Sequence, residues 1–260
     1  DAIEDHYKPR FAGDTLPRGA TGTVVALADK LETLAGMFAI GNLPSGDKDP
    51  FALRRHALGV VRMLVEKDLP LELAALVTLA FGLFKEAPPE APAQLTDFIY
   101  DRLAASLREQ GYTAQEVDAV LALRPQRLGD VPKRLVAVRA FAALPEAPAL
   151  AAANKRIGNI LKKAGQADAH VNSALFKEPA EQALYAAMKD AAPKADAQFQ
   201  AGDYKGSLQT LAVLRAPVDA FFDGVMVNAE QADLRLNRLG LLATLHQAMN
   251  RVADLSRLAA

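Results

Sequence analysis

The sequence predicts an all-α protein, and three observations carry that prediction. Apolar residues recur at helical spacing in nearly every segment, no stretch sustains the two-residue alternation of a half-buried strand, and the Ala-rich runs favour helix. At 260 residues and 51% hydrophobic, with no cysteine, the chain is long enough to bury one large or two modest cores without disulfides.

The first residues, Asp1-Ala-Ile-Glu-Asp-His-Tyr, are acidic and helix-compatible, unlike the basic start of a secretory signal, and suggest a chain that begins inside something longer. Val24, Leu27, Ala28, Leu31, Leu34, Ala35 and Phe38 then form an apolar stripe, with Asp29, Lys30, Glu32 and Thr33 off it and Gly41 placed to end the helix. After the loop Leu43-Pro-Ser-Gly-Asp-Lys-Asp-Pro, Asp49 is the expected N-cap and Pro50 the first helical residue of a helix running to about Lys67, where Asp68 and Pro70 interrupt it. Pro88, Pro89 and Pro92 fall within the segment Glu86-Ala-Pro-Pro-Glu-Ala-Pro-Ala, which reads as a linker. Leu95 to Gln110 and Thr113 to Ala122 read as a helical hairpin turned at Gly111. A break at Arg124-Pro-Gln-Arg-Leu-Gly opens a final helical region with turns at Pro145, Pro148, Pro179 and Pro217. The expected divisions are residues 1–92, a connecting hairpin over 93–130, and 131–260.

Formal net charge is −1, so no global basic field advertises a nucleic-acid partner. Locally the picture differs. Between Val131 and Lys163 lie seven cations (Lys133, Arg134, Arg139, Lys155, Arg156, Lys162, Lys163) and one acid, Glu146, a balance of seven minus one, or +6. In the helix around Ala151-Ala-Ala-Asn-Lys-Arg-Ile-Gly-Asn-Ile-Leu-Lys-Lys, Ala153, Ile157, Ile160, Leu161 and Ala164 share one face while Lys155, Asn159, Lys162 and Lys163 share another. That face, with Arg156 beside it, is either a phosphate-contacting ridge or an ordinary solvated surface. Asn154 and Asn159 are alternatively braces between helices.

Further on, Leu234, Arg238, Leu241, Leu245, Ala248, Val252 and Leu255 follow a four-three spacing expected of one long helix. Arg238 on that apolar stripe requires a partner, Asp219 or Asp223 being the candidates, while Arg235 lies off the stripe as a freer contact for RNA. Catalytic signals are missing: no phosphate-loop, HExxH, GxSxG or dinucleotide glycine pattern occurs, and His6, His56, His170 and His246 are scattered without metal-ligand spacing. Without cysteine there is no thiol nucleophile or Cys-type zinc site, which suits the cytoplasm, and no apolar run approaches the roughly 20 residues of a membrane span.

His6-Tyr-Lys-Pro-Arg-Phe-Ala-Gly-Asp, Ala26-Leu-Ala-Asp-Lys-Leu-Glu-Thr-Leu, Gly46-Asp-Lys-Asp-Pro-Phe-Ala-Leu-Arg-Arg, Ala151-Ala-Ala-Asn-Lys-Arg and Phe221-Phe-Asp-Gly-Val-Met-Val occur in that order. Together they closely resemble the beta subunit of the bacterial two-subunit glycyl-tRNA synthetase. The resemblance spans essentially the whole chain and implies a C-terminal fragment. It implies the end of an HD-like helical domain, followed from about Val131 to Ala260 by an α-helical-bundle anticodon-binding domain. That domain's Asp-Ala-Leu-Arg-like motif reads Ala232-Asp-Leu-Arg here, a departure at the first two positions that weakens any role for a leading Asp.

By the same resemblance Asp29 would stand at the helix-borne metal position of HD-type phosphohydrolases, although the accompanying His and His-Asp ligands are absent, so neither catalytic nor metal residues are expected. The implied partners are glycine tRNA, the synthetase alpha subunit and the remainder of the beta subunit, with no membrane. ATP and Mg would serve the alpha subunit, where glycine is activated and charged, and this chain would hold no cofactor. The implied tRNA-binding residues are Lys155, Arg156, Asn159, Lys162, Lys163, Arg235 and Arg238, with Phe199, Tyr204, Phe221 and Phe222 available to stack on bases. The alternatives are an assembly module without RNA binding of its own and an HD-type metal-dependent phosphohydrolase.

Overall fold

The computed structural model describes residues 1–165 and 169–259, and the regular structure among them is helical. The helices are α1 (Ala2–Asp5), α2 (Gly19–Ala39), α3 (Leu53–Glu66), α4 (Leu73–Phe81), α5 (Ala91–Glu109), α6 (Ala114–Leu121), α7 (Asp130–Ala142), α8 (Ala147–Ala164), α9 (Pro179–Gln200), α10 (Tyr204–Ala212), α11 (Arg215–Gly224) and α12 (Ala232–Met249). They divide into two compact units, Asp1–Thr113 with Arg124–Pro132, and Ala114–Leu123 with Lys133–Ala260. No single helix among the described residues is long and apolar enough to cross a membrane.

In the first unit α2 is the central helix, packed by α1, α3, α4 and α5. Its buried face comprises Thr23, Ala26, Leu27, Lys30, Leu31, Leu34, Ala35 and Phe38, whereas Val24 and Ala28 face solvent. The expected stripe is therefore rotated, and Lys30 lies inside rather than outside. The run Val24-Val-Ala-Leu-Ala offers two adjacent apolar arcs, and only the packing partners select between them. Gly41 ends the helix as expected, at φ +73°. Its N–H donates to Phe38 O at 3.1 Å and that of Asn42 to Met37 O at 2.9 Å, which a left-handed residue permits.

Asp49 does cap the next helix, but from further away than expected. Its carboxylate accepts from the N–H groups of Leu53 (2.8 Å) and Arg54 (2.9 Å), so Pro50, Phe51 and the left-handed Ala52 (φ +55°) form a turn before α3 rather than its first residues. Pro88 and Pro89 stand outside helix, and Pro92 falls in the first turn of α5, where its missing N–H has no cost. Because α5 packs on α2, α3 and α4, the Pro-rich segment lies within the first unit. The break at Arg124-Pro-Gln returns to α4, where Leu73 N–H donates to Gln126 O (3.0 Å) and Ala74 N–H to Gln126 Oε1 (2.9 Å). The Tyr100 hydroxyl donates to Pro125 O at 2.9 Å.

The second unit buries Leu150, Ile157, Leu184, Leu208, Phe221, Leu241 and Leu245 among α8 to α12. Pro148 and Pro179 occupy the first turns of α8 and α9, and Pro193 sits within α9. The long final helix expected through Leu255 instead stops at Met249. Asn250 ends it: Nδ2 donates to His246 O (2.8 Å), while Oδ1 accepts from Leu255 N–H (3.0 Å) and from Asn154 Nδ2 (2.8 Å). An Asn side chain that offers such local bonds competes with the helical ladder. Val252 and Leu255 still reach the core, through a turn and a short 3-10 helix at Leu255–Leu258.

Candidate nucleic-acid interface

Helix α8 presents the candidate surface. Its interior face buries Leu150, Ala151, Ala153, Asn154 and Ile157, which leaves Lys155, Arg156, Asn159, Lys162 and Lys163 exposed along the opposite side. Lys162 and Lys163 lie in the last turn, where cations are also favoured by the carbonyl end of the helix dipole. Arg156 is held over the Phe222 ring of α11, its guanidinium carbon 4.1 Å from the ring centre. A shallow groove of about 400 Å³ follows Lys155, Arg156, Asn159, Ile160 and Lys163.

Other cations of the basic stretch do structural work. Arg139 makes a bidentate pair with Glu116 at 2.7 and 2.8 Å. Arg134 donates to the carbonyls of Arg251 and Val252 and lies over both the Phe199 and Tyr204 rings. Arg251 pairs with Asp196 and covers Phe199 as well. Of the four aromatic candidates, Phe221 and Tyr204 are buried, whereas Phe199 and Phe222 are partly exposed, each with a guanidinium on its ring.

Arg235 and Arg238 have different surroundings from those expected. Arg235 is half-buried and donates to Ala229 O at 2.9 Å, tying α12 to the preceding loop. Arg238 is only 5% exposed, and its partner is neither Asp219 nor Asp223 but Glu181. Nε and Nη2 donate to the two carboxylate oxygens at 2.9 and 3.2 Å, and Nη1 donates to Met226 O at 2.8 Å. Asp219 instead lies beside Arg215.

Glu181 was not singled out by its sequence pattern, yet Glu178 and Glu181 around Pro179 have the spacing of a capping box. Oε2 accepts from the N–H groups of Glu178 (2.8 Å) and Lys177 (3.0 Å) at the start of α9. Burial pushes the Glu181 carboxyl up, but the hydrogen bonds from Arg238 and those two N–H groups prevail and hold it below its ordinary value.

Residues 150–255 match the family model of the DALR anticodon binding domain, and residues 1–122 match that of the glycyl-tRNA synthetase beta subunit. The chain belongs to the glycyl-tRNA synthetase beta-subunit family. It is 76% identical over 259 residues to the glycine–tRNA ligase beta subunit of Paracidovorax citrulli, and 75% identical over 260 residues to that of Polaromonas naphthalenivorans. The relative from Janthinobacterium is 67% identical over 261 residues. All of this chain is covered in each case, but it spans only about 37% of the length of these relatives.

Within this family member, Asp29 does not gather a metal-binding set. Among the described residues no group of three or more carboxylates, histidines or cysteines is placed to hold a metal ion. The side chains lining the pocket beside Asp29 include Lys30, Arg55 and His56, and two of these are cations that disfavour a divalent ion.

Proposed function

We propose that the second unit binds the anticodon region of glycine tRNA, so that the synthetase alpha subunit can charge that tRNA with glycine using ATP. The observation that carries this reading is the exposed cationic face of α8 within a chain segment matching an anticodon-binding domain. Lys155, Lys162 and Lys163 contact phosphates, and Asn159 lies in the groove between Lys155 and Lys163. Arg156, its guanidinium laid on the partly exposed Phe222 ring, supplies a planar face on which an unstacked base can rest. Arg238 is left out because its guanidinium is buried and fully engaged, and Arg235 acts by holding the loop before α12. The test is binding of glycine tRNA by the chain before and after removal of the α8 lysines.

Assembly is a second activity for the first unit, favoured by Leu79 on α4, which is 72% exposed, and by Leu83 just after it, which is 68% exposed. Large apolar side chains so placed suit a covering protein surface. Replacing both with Ser would weaken association with the alpha subunit or the remainder of the beta subunit, as read by co-purification; unchanged association would remove this face from the assembly.

A further inference from the structure

The first unit contains a pocket of about 230 Å³ lined by Tyr7, Pro9, Arg10, Asp29, Lys30, Ala52, Arg55 and His56. Three cations and one carboxylate are charged among these side chains. Arg10 is held by Asp14, which accepts from its Nε at 2.8 Å and its Nη2 at 3.2 Å. Lys30 is the unusual member. It is 3% exposed, and the hydrogen bond its Nζ makes is to the His6 carbonyl at 3.2 Å. An ammonium carries three donors, and a buried charge with so little coordination is costly unless a further acceptor completes it.

The path of Lys30 is built into the packing. A Cβ at Gly59 would lie 2.8 Å from Lys30 Cε and 2.9 Å from Cδ, so the glycine in α3 leaves the channel along which the stem reaches the pocket. Beside it His56 Nδ1 is buried and has no hydrogen-bond partner. Arg55, next to it in sequence and exposed, adds a further cation to the lining. A buried ammonium and an exposed guanidinium around one cavity make a donor-rich site with room for a small tetrahedral anion.

We propose that this pocket binds a phosphoryl group, with Lys30 and Arg55 as its charged donors. The phosphoryl group is either free or the terminal phosphate of a nucleic acid. The site belongs to the first unit and does not depend on tRNA binding by the second.

The test is calorimetric titration of the 260-residue chain with inorganic phosphate, then with a 5′-phosphorylated and an unphosphorylated dinucleotide. The expected result is one site per chain for phosphate or the phosphorylated dinucleotide, and none for the unphosphorylated one. Arg55→Ala should weaken that binding about tenfold or more, the size of one charge-assisted hydrogen bond. Lys30→Met keeps the aliphatic stem over Gly59 and should reduce it at least as far. Binding of inorganic phosphate identifies a free anion as ligand; binding of the phosphorylated dinucleotide alone identifies a nucleic-acid end. If Lys30→Met fails to fold, Arg55→Ala decides by itself, since that side chain is exposed. Absence of binding to both phosphorylated probes, or unchanged affinity in Arg55→Ala, overturns the proposal.

Discussion

Arg238 of α12 and Glu181 of α9 form a bidentate pair at 2.9 and 3.2 Å inside the second unit, and the same carboxylate closes the N-terminus of α9 through the N–H groups of Glu178 and Lys177. One buried carboxylate thus fixes two helices and, through Arg238 and Met226 O, the loop between α11 and α12. Removing either partner strands the other. Arg238→Ala should lower unfolding stability by about 3–5 kcal/mol, whereas Arg238→Met combined with Glu181→Gln, which removes the buried charge but keeps an acceptor for the two N–H groups, should recover part of that loss in denaturant titration. Equal losses in the single and double variants would contradict this role.

The pair also sets an acid sensitivity. Because the folded Glu181 carboxyl is held below its ordinary value of 4.5, its stabilising contribution is complete above that pH and is lost as pH falls through the lowered folded value. The stability of Glu181→Gln, followed by thermal melting from pH 7 to pH 3, should therefore fall less steeply with acid below about pH 4.5 than that of the unaltered chain.

Asn154 and Asn250 exchange amide hydrogen bonds at 2.8 and 3.0 Å, joining α8 to the end of α12. Asn154→Leu leaves the Asn250 amide under-satisfied and should cost about 1–3 kcal/mol. A double-mutant cycle with Asn250→Ala should give a coupling energy of similar sign, since the two side chains touch.

The phenylalanines Phe221 and Phe222 should separate folding from recognition. Phe221 is fully buried, so Phe221→Ala should lower stability by about 3–5 kcal/mol. Phe222 is partly exposed beneath Arg156, so Phe222→Ala should leave most of the stability intact and weaken tRNA binding. Loss of a stacked base costs about 1–3 kcal/mol of binding energy.

These contrasts show where sequence was informative. Helical periodicity revealed the all-α class, Gly41 revealed a helix end, and the exposed side of α8 was legible because Lys155, Asn159, Lys162 and Lys163 fall on one arc. Which apolar arc of α2 turns inward was not legible, since Val24, Val25, Ala26, Leu27 and Ala28 are interchangeable until α3 to α5 pack on them. Glu181 was hidden for a different reason. A carboxylate 57 residues from Arg238 is brought to it only by tertiary folding, whereas Asp219 and Asp223 stand closer in sequence and do not pair with it. The end of α12 depended likewise on Asn154, 96 residues from Asn250.

Replacing Lys155, Lys162 and Lys163 by Ala should weaken tRNA binding and flatten its dependence on salt. For three phosphate contacts the slope of log affinity against log salt should shrink by about 2. Circular dichroism should remain that of the unaltered chain, because all three side chains are exposed.

The most direct test of the recognition account is a titration of the 260-residue chain with glycine tRNA and with a non-cognate tRNA at two salt concentrations. Tighter binding of the glycine tRNA, weakened as salt rises, is the predicted result. Equal affinity for the two tRNAs, or no binding to either, would contradict anticodon recognition by this part of the molecule.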